Sequence, residues 1–204
     1  GSYVGASFIS VLSSEKFSIK YLSLRGSLGD EFVSSESFYT ALVENVALQS
    51  LNLSGNSLSD TAVSAVMRAL RVNANVTEVS LGQNACSGEC IADLANLLSG
   101  VEVTPEEDAA WKNVTKLIGD KNKAAKDANK NRKKKGYPDL EDVATPAERV
   151  VKVGEVNCIA NRTLRVLDMS FCPLDVASFQ AGMQGLQSEH KVAEPALELI
   201  LLVR

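Results

Sequence analysis

Leu48-Gln49-Ser50-Leu51-Asn52-Leu53-Ser54-Gly55-Asn56-Ser57-Leu58 is the stretch that decides the fold. Leu51 and Leu53 alternate with Ser50, Asn52 and Ser54, which places leucines on one face of a short strand and small polar groups on the other. Leu48 and Leu58 bury the chain before and after that strand. Asn56 stands where the chain turns away, and its side chain can satisfy backbone groups that the strand leaves unpaired. Asp60 is expected to cap a helix in which Ala62, Val63, Val66, Ala69 and Leu70 recur at helical spacing. A strand, a turn and a helix form one unit that cannot bury its apolar side alone.

The pattern recurs. Ile19, Leu22 and Leu24 repeat it with Ser27 at the asparagine position, and Val76, Val79 and Leu81 repeat it with Asn84 and then Cys86. Leu164, Leu167, Met169, Cys172 and Leu174 fit the whole spacing, and Leu197, Ile200 and Leu202 give a truncated copy. These copies match the leucine-rich repeat signature L-x-x-L-x-L-x-x-N/C-x-L. The steps from Ile19 to Leu48 and from Leu48 to Val76 are 29 and 28 residues, a period that resembles the ribonuclease-inhibitor type. The implied fold class is α/β: a solenoid segment shaped like part of a horseshoe, with parallel strands inside, helices outside and a charged helical insert.

Three parts are expected. Residues 3–103 form a first block of repeats, with a capping helix carrying Tyr3, Val4, Ala6, Phe8, Ile9 and Leu12 at its start. Residues 104–145 form a basic helical or loop insert, and residues 146–204 a second block ending in a terminal strand. Ser87 and Asp175 are expected helix caps in the third and last repeats. From Val76 to Leu164 is 88 residues, near three repeat lengths, yet no copy of the motif lies between. Thr104-Pro105-Glu106-Glu107 reads as a capping box opening a helix of three to four turns, with Trp111, Val114, Leu117 and Ile118 on one stripe and Gly119 ending or weakening it. Thr145-Pro146-Ala147-Glu148 reads as a second box, opening a helix to about Ala160, with a short Val150–Val153 strand as the alternative.

At 204 residues, with 45% hydrophobic and 23% charged residues, the chain can bury a substantial globular core. No run of about eighteen apolar residues exists, so no membrane partner is expected. Gly1-Ser2 reads as an expression remnant, so a native leader is expected to fall outside this sequence. Cys86, Cys90, Cys158 and Cys172 lack C-x-x-C spacing, and two of them sit at repeat-core positions. They are expected as buried free thiols, which fits a reducing, cytoplasmic setting.

Catalytic constellations are missing from the sequence. His190 is the single histidine, which leaves His-dependent nucleophilic or metal chemistry without a second member. No glycine-rich phosphate loop is present, and no cofactor is expected. The expected function is therefore a non-enzymatic scaffold for protein partners, which would contact the outward strand positions Tyr21, Ser23, Arg25, Ser50, Asn52, Glu78, Ser80, Val166 and Asp168. The alternative rests on Arg25, placed where an arginine could act on a GTPase in trans, as in the leucine-rich activator of Ran.

Lys116 to Lys135 hold nine of the 21 basic residues against two acids. Within that tract Lys130, Arg132, Lys133, Lys134 and Lys135 are a second candidate contact, for an acidic partner. Nucleic acid is disfavoured because no aromatics interleave for base stacking. Leu199, Leu201 and Val203 are a third candidate, an apolar edge through which two copies could form a homodimer.

One interruption has its own likeness. Trp111, Lys133 to Lys135 and Pro138-Asp139-Leu140, followed by Asn161-Arg162-Thr163-Leu164-Arg165-Val166-Leu167-Asp168, resemble the interrupted repeats of the centrosomal protein family of seventy-eight kilodaltons. That resemblance implies a scaffold at centrosomes and basal bodies, serving cilium and cytoskeleton, which recruits ubiquitin-ligase components.

Overall fold

The structure is a computed structural model; it describes residues 2–12, 19–99, 101–140, 150–153, 156–184 and 199–201. The elements in chain order are α1 (Ser2–Leu12), β1 (Tyr21–Ser23), α2 (Asp30–Val33), α3 (Glu36–Glu44), β2 (Ser50–Asn52), α4 (Asp60–Val72), β3 (Glu78–Ser80) and α5 (Ile91–Ser99). They continue with β4 (Val101–Glu102), α6 (Pro105–Lys134), β5 (Val150–Val153), β6 (Val156–Ile159), β7 (Val166–Asp168), α7 (Val176–Gln184) and β8 (Leu199–Leu201).

Each strand of the five-stranded parallel sheet is only three residues long, because one inward side chain is all that a repeat needs there. Leu51, Val79 and Leu167 are those inward residues; they lie opposite one another and are buried. The strands form a parallel sheet in the order β1-β2-β3-β7-β8, and α3, α4, α5 and α7 pack side by side against one another. Leu48, Leu53, Leu58, Leu70, Leu81 and Leu94 fill the space between strands and helices, each fully buried. At α1 a cluster of three rings continues the core: Phe8 stacks on Phe38 at 5.2 Å, and Phe32 meets both edge-on.

Two columns of asparagine tie the repeats together. Asn56 Oδ1 accepts from Leu28 N–H at 2.8 Å, while its Nδ2 donates to Leu24 and Leu53 carbonyls. Asn84 does the same one repeat on, accepting from Asn56 and Leu58 and donating to Leu53 and Leu81. Cys172 continues this column with its Sγ on Leu81 O. A second column, unforeseen in the sequence, joins the helix ends. Asn73 Oδ1 accepts from Asn75 and Val76 N–H, and its Nδ2 donates to Leu42 and Asn45 carbonyls. Asn45 and Asn161 hold the same position in their repeats, three residues before Leu48 and Leu164.

The first helix caps differ from expectation. Ser59, one residue earlier than expected, caps α4 by accepting from Ala62 N–H, which frees Asp60 for another task. Asp60 accepts from Ser87 N–H and Oγ–H and from the Gly88 and Cys90 amides, so it staples α4 to the next repeat. Ser87 consequently points at Asp60 and does not cap α5. Asp30 staples Ser59 in the same way one repeat earlier. Asp175 accepts from Ser178 N–H at the start of α7.

The 88-residue gap is one repeat with a detour. β3 pairs directly with β7, Val79 opposite Leu167, so no repeat is missing between them. The detour makes a separate antiparallel sheet in the order β4-β6-β5 and the 30-residue helix α6. Val150–Val153 is the strand held as the alternative, and it pairs antiparallel with Val156–Ile159, Val153 opposite Val156, in place of the expected helix. Four β-branched valines, stiff at χ1, favour the pleated form over the helix that their spacing suggested. The Thr145 capping box lies outside the described residues. Gly119 does not end α6, since one glycine costs a helix interior only about 1 kcal/mol. The first half of α6 is docked: Val114 and Ile118 are buried, Trp111 is half-buried against the core, and Asn113 donates to Glu44 on α3 at 2.8 Å. No described helix is long and apolar enough to cross a membrane.

Candidate partner-binding face

Parallel register aligns the outward positions into rows. Tyr21, Ser50, Glu78 and Val166 form one row, and Ser23, Asn52, Ser80 and Asp168 the next. Their inward neighbours carry the core and the helices lie beyond it, so among the described residues these rows are the uncovered face of the sheet. All nine sequence-derived face residues, Arg25 included, fall on this side or at its rim. Tyr21 stands out at 72% exposed.

Side chains on the face are held in place. Ser80 Oγ donates to Asp168 Oδ2 at 2.8 Å and shares a 2.7 Å hydrogen bond with Ser54 Oγ. Burial pushes the Asp168 carboxyl up, but hydrogen bonds from Ser170 and Ser80 outweigh it and hold the group below the usual carboxylate range. Asp168 is thus a fixed negative charge. Asn52 Oδ1 accepts from Ser54 N–H, a local turn that orients the amide.

The turns after the strands form a rim. One residue per repeat adopts a left-handed conformation four positions beyond the inward strand residue: Gly26, Gly55, Gln83 and Phe171, with φ of +63°, +67°, +57° and +60°. At Gly55 the absence of a side chain leaves room for Arg25, whose aliphatic stem lies 3.8 Å from where a Cβ would stand. Arg25 crosses over Gly55 and donates to Gln83 Oε1. Phe171 continues the rim and is 57% exposed. A bulky residue in left-handed backbone is costly, and Phe171 combines that conformation with an exposed ring. Sequence reasoning missed it because Phe171 fits none of the signature's fixed positions.

The other two candidate sites lie elsewhere. Lys130, Arg132, Lys133 and Lys134 belong to the last turns of α6 and Lys135 caps it, so the tract is helical and not a loop. The chain then folds back on the helix: Arg132 Nε donates to Pro138 O at 2.7 Å, and Asn129 exchanges two hydrogen bonds with the Leu140 backbone. Leu199 and Leu201 occupy register positions beside Val166 and Asp168 in β8, an edge strand among the described residues. Val203 and His190 lie outside the described residues.

Cysteine chemistry is muted. All four thiols are free and buried. A hydrogen bond from Cys172 pulls the Cys86 thiol down, but the Cys90 contact and burial outweigh it and push it up to about 12. The bond to Cys86 and burial push Cys172 up as well. Such thiols are poor nucleophiles. Among the described residues no cluster of His, Cys, Asp or Glu could hold a metal ion.

A family model described as "Leucine Rich repeat" matches residues 44–67 and 160–177, the segments around β2 and β7. Those two segments resemble leucine-rich repeats. No curated protein matches it. Among solved structures, a leiomodin-1 structure titled as actin-binding site 2 aligns at 15% identity and a TM-score of 0.40, over 56% of this chain and 70% of that one. The C-terminal domain of tropomodulin from Caenorhabditis elegans aligns at 11% identity and a TM-score of 0.42, over 90% and 91%. Likenesses at this level do not carry actin binding over to this chain.

Asp60 gives the repeats a measurable acid response. Burial pushes its carboxyl up, yet the amides of Ser87, Cys90 and Gly88 and the Ser87 hydroxyl win and hold it far below the usual range. A lowered folded-state value means that the stabilisation is present above the unfolded carboxylate's range near 4 and is lost as pH falls below it. Asp60→Asn is expected to cost about 1–2 kcal/mol at neutral pH, and this difference should shrink steadily below about pH 4. Urea titrations of both proteins at several pH values check it; a difference that stayed constant down to the lowest pH would refute the staple.

Proposed function

We propose that the chain is a non-enzymatic scaffold that binds a protein partner across the open face of its parallel sheet. The observation that carries this reading is the pair of aligned rows with two exposed aromatics beside them, Tyr21 at the β1 end of one row and Phe171 in the rim turn after β7. Large aromatics beside oriented polar groups are the composition of interface anchors. Strands inside and helices outside are read as a horseshoe segment of the ribonuclease-inhibitor type, divided at 3–103, 104–145 and 146–204. The centrosomal resemblance supports a cytoplasmic location at centrosomes or basal bodies; in the structure its Pro138-Asp139-Leu140 stretch is the segment that folds back on α6. A homodimer through β8 is a further part of the proposal, and sedimentation of Leu199→Lys with Leu201→Lys against the parent tests it.

Phe171→Gly separates binding from folding. Glycine accepts the left-handed backbone at no steric cost, so the fold should gain up to about 1 kcal/mol. Proximity labelling with parent, Phe171→Gly and Tyr21→Ala should give a partner set that both variants lose. Partners retained by both variants would overturn the open-face reading.

A further inference from the structure

Lysines on α6 follow a pattern that its docking does not explain. Lys112, Lys116, Lys123, Lys126, Lys130 and Lys133, together with Gly119, fall at alternating steps of four and three residues, and all seven are exposed. The opposite seam, Glu107, Trp111, Val114, Ile118, Lys121, Ala125, Ala128 and Arg132, keeps the same alternation and is buried or half-buried throughout. The outer seam is therefore a straight row of positive charge about 32 Å long, exposed throughout and flanked at Lys126, Lys130 and Lys133 by the returning chain. Like charges three and four residues apart weaken a helix, and no core contact explains keeping them. Some are shared with local acids: Lys112 with Asp108, Lys130 with Asp127, and Lys133 with Asp139 at 3.7 Å. Lys116, Lys123 and Lys126 have no ion pair among the described residues. A hollow between helix and returning chain is lined by Lys126, Lys130 and Lys133.

We propose that this seam docks an acidic α-helix of a protein partner, with Glu or Asp repeating at the same four-and-three spacing. Lysines aligned on one stripe can pair with acids aligned on one stripe of a partner helix, as the charged positions beside a coiled-coil seam do. Asp120 and Asp127, one heptad apart and exposed, flank the seam on one side. They would repel phosphates but can pair with basic residues of a partner helix. Arg132, the one arginine of the tract, is turned to the other seam, under Tyr137 and bonded to Pro138 O. The seam carries no apolar side chain that could enter a membrane. Gly119 opens the row to solvent at its middle, with no atom within 4 Å of a would-be Cβ. This inference stands apart from the open-face reading.

The test titrates the full chain with a helical peptide of about 28 residues bearing glutamates at four-and-three spacing. A second peptide of equal composition has its glutamates spread around the helix. Duplex DNA and vesicles containing phosphatidylserine are the third and fourth arms. The seam peptide should bind at least about 10-fold tighter than the spread peptide, and its binding should weaken as salt rises. Lys116→Glu, Lys123→Glu and Lys126→Glu together should reduce it at least about 30-fold with the helical signal unchanged, while Phe171→Gly leaves it intact. The milder triple change to glutamine covers the case in which charge reversal unfolds the helix. Equal binding of both peptides, tighter binding of duplex or vesicles, or undiminished binding by the folded lysine variants would each overturn the proposal.

Discussion

Asn73→Ala is expected to lower stability by about 3–4 kcal/mol, whereas Asn75→Ala, two residues on, should be neutral or slightly stabilising. Asn73 is fully buried and serves four backbone groups: the carbonyls of Leu42 and Asn45, and the amides of Asn75 and Val76. Alanine leaves all four in a site that water cannot easily reach, and each buried unsatisfied group costs roughly 1–3 kcal/mol before relaxation. Asn75 is the opposite case, since its Nδ2 is buried and makes no hydrogen bond. Removing such a group loses nothing that the fold uses. Urea unfolding measures both, with an unchanged slope showing that two-state unfolding persists. Similar losses for the two variants would mean that the column of Asn45, Asn73 and Asn161 is incidental.

That column shows where sequence reading stops. Leucine positions 22/24, 51/53 and 79/81 were legible because period-two alternation in a strand is a direct image of inside and outside. Asn56 and Asn84 were legible from their fixed place after the strand. Asn45 and Asn73 sit in polar turns, where asparagine is ordinary, and only the spacing Asn-x-x-Leu/Val repeated at residues 45, 73 and 161 could have marked them. Asp60 was read as a cap because a cap and a staple use the same residue type within one position of each other. Only packing decides whether the carboxylate turns to its own helix or to the next repeat.

The detour was harder for a different reason. Its end was visible as the return of L-x-x-L-x-L at Leu164, but the direct pairing of β3 with β7 is a long-range fact that no local pattern encodes. Val150, Val153, Val156 and Ile159 recur every three residues, a helical spacing, yet they lie in two paired strands. The helix reading of Pro105 to Ile118 was right in kind and short in length, because glycine at 119 was given more weight than its small energetic cost supports. Of the face, register could be inferred and exposure could not. Tyr21 was named from its strand position, while Phe171 needed its backbone torsion to be noticed.

Glu107→Ala should cost about 3–5 kcal/mol and loosen α6 from the body. Glu107 meets Arg71 of α4 at 3.0 Å with both side chains about 10% exposed, and its other oxygen accepts from Thr104 N–H to complete the capping box. Alanine removes two things at once: the charge that balances a buried guanidinium, and half of the cap. Glu107→Gln divides them, because glutamine can still serve the box. It should retain the cap and lose about 2–3 kcal/mol through the arginine's lost ion pair with Glu107 alone. Combining Glu107→Gln with Arg71→Met should then recover most of that loss, since neither charge remains buried. Asn113→Ala, which breaks only the exposed bond to Glu44, should change stability by less than about 0.5 kcal/mol. Trp111 is the single tryptophan and is half-buried on the docked part of the helix, so its fluorescence reports docking directly. A red shift in Glu107→Ala that precedes global unfolding would show α6 opening as a unit. If the Arg71→Met change simply adds to Glu107→Gln, the two residues do not act as a pair, and the docking energy lies with Val114 and Ile118 instead.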